Sequence, residues 1–152
     1  MKFKKTFSAI AIAICYVVLA SSCERENEAR SSESGEDSHN TGVDCMICHK
    51  KDGNGKGIFT VAGTVYDSIQ KNIVTGATVR LYSGANATGT LLATIPNDQS
   101  GNFYISNTID FTKDVYVSVK SRSGNIKEMN GKIKTGACTS CHGTTTDVVW
   151  VK

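Results

Sequence analysis

The apolar positions of this chain fall into two regimes. From Phe7 to Ala20 they form a nearly unbroken run. From residue 58 onward they come in short bursts of apolar and β-branched residues, set apart by turn-forming residues. The bursts are residues 58–66, 77–82, 91–95, 102–105, 115–119 and 126–133, with Val148-Val-Trp-Val151 as a seventh. Between them stand Asp67-Ser, Ser83-Gly-Ala-Asn, Asn97-Asp-Gln-Ser-Gly101 and Ser123-Gly-Asn125. Short alternating segments at this spacing, with no stretch of helical period, predict an all-β, seven-stranded sandwich.

The opening run is the length of a signal-peptide core rather than a membrane span, and Lys2, Lys4 and Lys5 precede it. It ends in Leu19-Ala20-Ser21-Ser22-Cys23, which resembles a bacterial lipoprotein signal. The leucine lies four residues before the cysteine, where that pattern usually places it three before, and Ser22 stands where Gly or Ala is commoner. The resemblance implies that residues 1–22 are removed and that Cys23 takes a diacylglycerol anchoring the chain to a membrane. An ordinary secretory signal cut near Ser22 is the alternative, and it leaves a free thiol at Cys23. The expected location is the cell envelope of a Gram-negative bacterium, as an outer-membrane lipoprotein facing the periplasm or the exterior.

Charge adds a boundary to this picture. Residues 24–44 carry seven acids against two Arg, and residues 45–152 carry twelve Lys or Arg against seven acids. The acidic stretch has almost no large apolar residue and cannot bury enough surface to offset its ordering entropy, so residues 23–44 read as a flexible tether. The basic remainder shows no stripe of Lys and Arg interleaved with aromatics and no nucleic-acid-binding motif, so no nucleic-acid partner is expected.

The chain has six cysteines. Cys15 lies inside the signal and Cys23 is the lipid candidate. The other four fall in two identical frames, Cys45-Met46-Ile47-Cys48-His49 and Cys138-Thr139-Ser140-Cys141-His142. Cys-x-x-Cys-His is the attachment signature of a c-type haem. Two thiols add across the two vinyl groups, and the next residue presents an imidazole to the iron. Two covalently attached haem c groups are therefore expected, with His49 and His142 as proximal iron ligands. A zinc ribbon also uses paired Cys-x-x-Cys, but its pairs are usually separated by about 15–20 residues, and here residues 49–137 intervene. Zinc, disulfides and a thioredoxin-like redox pair all leave the two following histidines unexplained.

Distal ligands are scarce. Outside the signal, His39 is the third histidine, and the methionines are Met46 and Met129. Met46 lies inside its own attachment loop and reads as a packing residue. His39 and Met129 are the expected distal ligands, with the pairing of each to a haem left open. The alternatives are a solvated tether residue for His39 and a sheet residue for Met129. Lys50, Lys51 and Lys56 flank the first motif, and Lys132 and Lys134 precede the second. They are candidates for haem propionates or simply solvated surface. The run Asp52-Gly-Asn-Gly-Lys-Gly57 superficially suggests a calcium or phosphate loop. Lys56 replaces a calcium ligand, Gly63 stands where the bidentate Glu belongs, and no Lys-Ser/Thr follows for phosphate.

Gly63-Thr-Val-Tyr-Asp67, Gly76-Ala-Thr-Val-Arg-Leu-Tyr82, Asp98 and Gly101-Asn-Phe-Tyr-Ile105 together resemble the carboxypeptidase-regulatory-like (transthyretin-like) β-sandwich module over residues 58–134. The usual proline before the second Gly-Ala is replaced by Val74-Thr75. The resemblance implies a scaffold rather than a chemistry. The expected layout is a first haem loop at 45–57, a sandwich core at 58–134, a second haem motif at 138–142 and a last strand at 147–152. The haem loops would stand before the first and last strands. If those strands are parallel and adjacent, both haems emerge at one end. The functional expectation is an electron carrier rather than an enzyme, serving redox partner proteins or extracellular electron acceptors. A di-haem peroxidase would need acid–base apparatus that the sequence does not display. A zinc- or disulfide-stabilised adhesion or binding lipoprotein is the alternative, and iron content separates it from the carrier.

Overall fold

The computed structural model describes residues 29–36 and 38–152. The expected signal segment, Cys15 and the lipid candidate Cys23 lie outside the described residues. Seven strands form: β1 (Val61–Thr64), β2 (Thr78–Gly84), β3 (Thr88–Pro96), β4 (Asn102–Ile105), β5 (Tyr116–Lys120), β6 (Ile126–Glu128) and β7 (Gly136–Ala137). Two single-turn 3-10 helices, Cys45–Ile47 and Cys138–Ser140, complete the regular structure, and there is no α-helix among the described residues. No helix among them is long and apolar enough to cross a membrane.

The strands make two sheets, ordered β4-β1-β7 and β3-β2-β5-β6. Alternation explains the larger one. Val79 and Leu81 of β2 are fully buried while Thr78, Arg80 and Tyr82 are not, as period two requires of a strand with one covered face. Val61 and Phe103 from the smaller sheet join Val79, Leu81 and Val117 from the larger in one hydrophobic core. The molecule is an all-β sandwich.

Polar side chains close its corners. Asn97 is fully buried. Its side-chain oxygen accepts from the Ala77 N–H at 2.8 Å, and its side-chain nitrogen donates to the Val74 carbonyl. It thereby satisfies backbone groups just before β2 begins. Asp98 follows. One carboxylate oxygen accepts from the N–H groups of Ser100 and Asn102, both at 2.9 Å, which sets the tight turn into β4. Gly101 sits in that turn at φ +75°.

The smaller sheet brings the two cysteine motifs together. β1 pairs antiparallel with β4, Gly63 facing Phe103, and parallel with β7, Val61 facing Gly136 and Ala62 facing Ala137. The approach is close because glycine allows it. A Cβ on Gly136 would lie 2.0 Å from the Thr60 carbonyl oxygen. A Cβ on Gly63 would lie 2.7 Å from the Phe103 ring and 3.0 Å from the Cys138 Cβ.

Two expectations from sequence need correction. The seventh strand is Gly136–Ala137, immediately before the second motif, and not residues 147–152. The later segment touches β1's continuation through a single parallel bridge, Tyr66 to Trp150. Tyr66 donates to the Val149 carbonyl and accepts from the Val151 N–H. The apolar run correctly marks burial, since Val151 is fully buried, but one bridge is all the ladder it makes. The two-residue β7 has no apolar burst to announce it.

The other difference concerns the stretch that composition reads as a flexible tether. From Ala29 the chain runs along β4. Arg30 bridges Ile105, Ser31 donates its N–H to the Tyr104 carbonyl, and Ser106 donates to the Ala29 carbonyl. Ser31 is buried, and its hydroxyl donates to Pro96 and accepts from the Tyr104 N–H. Backbone ladder bonds, the Ser31 hydroxyl and the side chains of Arg30 and Gln99 dock this segment. A composition argument weighs apolar burial and does not see them.

Two stability predictions follow from these contacts. Asn97→Ala leaves the Ala77 N–H and Val74 carbonyl without their partner, and stability should fall by about 1–3 kcal/mol in chemical denaturation. Gly63→Ala forces a methyl into the Phe103 ring and toward Cys138. A loss of about 1–3 kcal/mol is expected by the same measurement, with a changed near-ultraviolet signal from the displaced aromatic packing.

Candidate functional site

Both Cys-x-x-Cys-His motifs fold in the same way. Residues three apart on a 3-10 turn eclipse one another, so each turn sets its two cysteines on one side. In the first motif Cys48 donates its N–H to the Cys45 carbonyl at 3.2 Å, and His49 donates to the same carbonyl at 2.9 Å. In the second, Cys141 and His142 donate to the Cys138 carbonyl at 3.3 and 2.9 Å. Asp44 caps the first turn by accepting the Met46 N–H. The Ser140 hydroxyl braces the second through the Ala137 carbonyl at 2.6 Å.

The imidazoles are oriented alike. His49 Nδ1 lies 2.8 Å from the Lys56 carbonyl oxygen, and His142 Nδ1 lies 2.6 Å from the Asp147 carbonyl oxygen. A carbonyl only accepts, so Nδ1 carries the proton in each ring. In a neutral ring so held, Nε2 is the nitrogen that keeps a lone pair, the form in which a histidine binds metal.

The glycine-rich run after the first motif has a structural cause. Gly53 donates to Lys50, and Gly55 donates to the Cys48 carbonyl. A Cβ on Gly53 would sit 2.1 Å from the Cys48 oxygen, and one on Gly55 would sit 2.8 Å from the His49 ring. The loop therefore wraps the histidine closely, and a side chain at either position would push it off. From sequence this run reads only as a loop, so Gly53 and Gly55 were missed as supports of His49. So was Phe59, whose ring stacks on His49 at 4.0 Å between centroids and 5° between planes. Tyr104 stacks in turn on Phe59 at 4.6 Å.

The two motifs lie side by side. Both 3-10 turns pack against β1, and Cys138 stands over Gly63. The Cys138 thiol is pushed up to about 12, by burial of its sulfur first and then by the Asp44 carboxylate, with a smaller contribution from Cys45. Burial also raises the Cys45 thiol, with Asp44 and Asp98 adding to it. Such thiols stay protonated at neutral pH, unlike the thiolates of redox-active Cys-x-x-Cys pairs. All four described cysteines are free of disulfides. Among the described residues, no three His, Cys, Asp or Glu side chains converge on a common metal position.

The surroundings of the two motifs differ. Beside the second, a cleft of about 580 Å³ opens between β6 and β7, a volume typical of cofactor and small-molecule sites. Core residues Val79, Phe103, Val117 and Val119 form its floor, and Cys138, Cys141, His142, Val148 and Trp150 line its other side. Met129 also lines it. Lys127 reaches in and places its Nζ 2.8 Å from the Trp150 ring centroid. Burial lowers its ammonium pKa, and Asp147 opposes that shift. Beside the first motif, His39 approaches His49, with centroids 6.0 Å apart and planes at 39°. Val43, Ile47 and Ile58, in or near that motif in sequence, are exposed.

The remaining sequence candidates are placed as follows. Met46 is half-buried. Lys132 is paired with Asp114 at 2.7 Å, and Lys132 and Lys134 both border the cleft. Lys50, Lys51 and Lys56 are exposed.

A covalently attached haem would call on two thiols for its vinyl groups, an imidazole for its iron and an apolar space to exclude water. The second motif has all three. The first has the thiols, the imidazole and an aromatic wall. Compared with protein-family models, with curated proteins and with solved structures, nothing matches this chain.

Proposed function

We propose that this chain is an exported electron-transfer protein of the bacterial cell envelope carrying two covalently attached haem c groups. One is held by Cys45, Cys48 and His49, the other by Cys138, Cys141 and His142. The observation that carries the reading is the repeated geometry. Two motifs remote in sequence adopt the same 3-10 turn, and each ties its histidine Nδ1 to a backbone carbonyl. Disulfides or solvated loops give no reason for that repetition.

Haem, when bound, supplies a one-electron iron couple. The chain's own residues do the rest. The thiols would fix each ring covalently, and the carbonyls of Lys56 and Asp147 hold the imidazoles in one tautomer and orientation. The apolar walls of the second cleft would limit water around a haem held there, a lever on its potential. The role is that of a carrier: the protein positions and tunes, and exchanges electrons with redox partner proteins or extracellular acceptors. Because both motifs pack on β1, the two haems would sit near one another, which favours exchange between them. The sandwich serves as scaffold, and the carboxypeptidase-regulatory-like resemblance of residues 58–134 belongs to the same reading. Cleavage after Ser22 and acylation of Cys23 would anchor the protein to the outer membrane.

Intact mass under denaturing conditions tests the cofactor, on protein made in a host with cytochrome c maturation. Two haem increments and two irons per chain are expected. The double variant Cys45→Ala/Cys48→Ala should lose one increment, and Cys138→Ala/Cys141→Ala the other. Wild-type protein with no haem and with zinc or disulfides instead would defeat the reading. For the anchor, Cys23→Ser should lose the lipid mass and leave the membrane fraction. Unchanged membrane retention would reject acylation at that residue.

A further inference from the structure

Two side chains outside the attachment motifs carry donors that haem iron accepts, and each lies beside one motif. We propose that His39 is the sixth ligand of the first haem and Met129 that of the second. The two centres then differ in kind, one with two imidazoles and one with an imidazole and a thioether. This rests on the di-haem reading above.

The case for His39 is distance and anchorage. Two imidazoles on opposite sides of one metal ion, each at about 2 Å, have centroids about 6 Å apart. The His39 and His49 centroids are 6.0 Å apart. His39 is also held in place, though it lies in the stretch that composition reads as a tether. Asn102 of β4 donates from its side chain to the Ser38 hydroxyl at 3.0 Å and to the His39 carbonyl at 3.4 Å. Thr64 of β1 accepts the Gly42 N–H and donates to Asn102 at 2.6 Å. Thr64 and Asn102 are themselves buried. Two strands of the smaller sheet thus fix the backbone around His39 from both sides.

The case for Met129 is register. Lys127 of β6 pairs with Val119, and Met129 donates its N–H to the Val117 carbonyl. Lys127 and Met129 therefore share the face of Val117 and Val119, which turns toward the core and the cleft. Two of the lysines bordering the cleft are committed elsewhere, Lys127 to the Trp150 ring and Lys132 to Asp114. Met129 borders the same cleft as Cys138, Cys141 and His142. A thioether in the sixth position raises haem potential relative to a second histidine. The second centre should accordingly be the higher in potential of the two.

Holoprotein carrying His39→Ala, Met129→Leu or Met129→His tests the assignment by absorption and electron paramagnetic resonance spectra with potentiometric titration. Wild type should show one bis-imidazole centre of lower potential, and one centre with the long-wavelength thioether–iron band of higher potential. Met129→Leu should abolish that band and leave the lower-potential centre untouched. Met129→His should replace it with a second bis-imidazole signal and shift the higher potential downward. His39→Ala should remove the bis-imidazole signal alone. Two haems by mass with spectra and potentials unchanged in all three variants would overturn the ligand assignment and leave the di-haem reading standing. A wild-type chain without haem would overturn both.

Discussion

Gly136 lies where any side chain would meet the Thr60 carbonyl, and Gly63 lies where one would meet Phe103 and Cys138. These two absences let β7 come alongside β1, and much of the site depends on that approach. β7 is only two residues long, so its pairing has little ladder energy and relies on fit. Once it is seated, the second cysteine turn begins at the next residue, on the same strand that the first turn packs against. A parallel pairing between segments so distant in sequence closes a long loop, and the entropy of that closure is offset by the core formed within it. The sandwich between the motifs is thus the device that makes two remote pieces of sequence neighbours.

The fold was largely legible because its signals are local. Six of the seven apolar bursts coincide with strands or their immediate extensions, since alternation reports one covered face directly. The turn at Asn97 to Gly101 was legible for the same reason, with an Asp side chain capping its own backbone and a glycine at positive φ. Strand β7 was not, because its identity comes from smallness and not from apolarity. The Ala29 docking was invisible as well, because its bonds are made by backbone and by scattered polar side chains such as Arg30 and Ser31. At the site, cysteines and histidines announced themselves by spacing. The supports did not. Gly53, Gly55 and Phe59 act on His49 through steric closeness and ring contact, which depend on a fold already formed. The pairing of His39 with the first motif and Met129 with the second needed the register of β4 and β6.

The two motifs share a local design and differ in what surrounds it. The first is clamped by a loop and an aromatic stack, near the surface. The second faces a cleft floored by the core itself. A group held in the second place would be desolvated by the same valines that stabilise the sandwich, which would couple its chemistry to the stability of the fold. A change at Val117 or Val119 would then act on both. The first site can be altered through its loop with less effect on the core.

The docked segment that begins at Ala29 has a consequence for how these molecules can associate. A bare strand edge is a template for pairing with another chain. β4 would be such an edge, with β1 on one side and solvent on the other. Instead its outer backbone groups are already occupied by Ala29 and Ser31. A strand from a second molecule cannot add there without first peeling away this molecule's own leading segment, and with it the approach to His39. The smaller sheet is therefore closed to lateral growth on that side by a piece of its own chain.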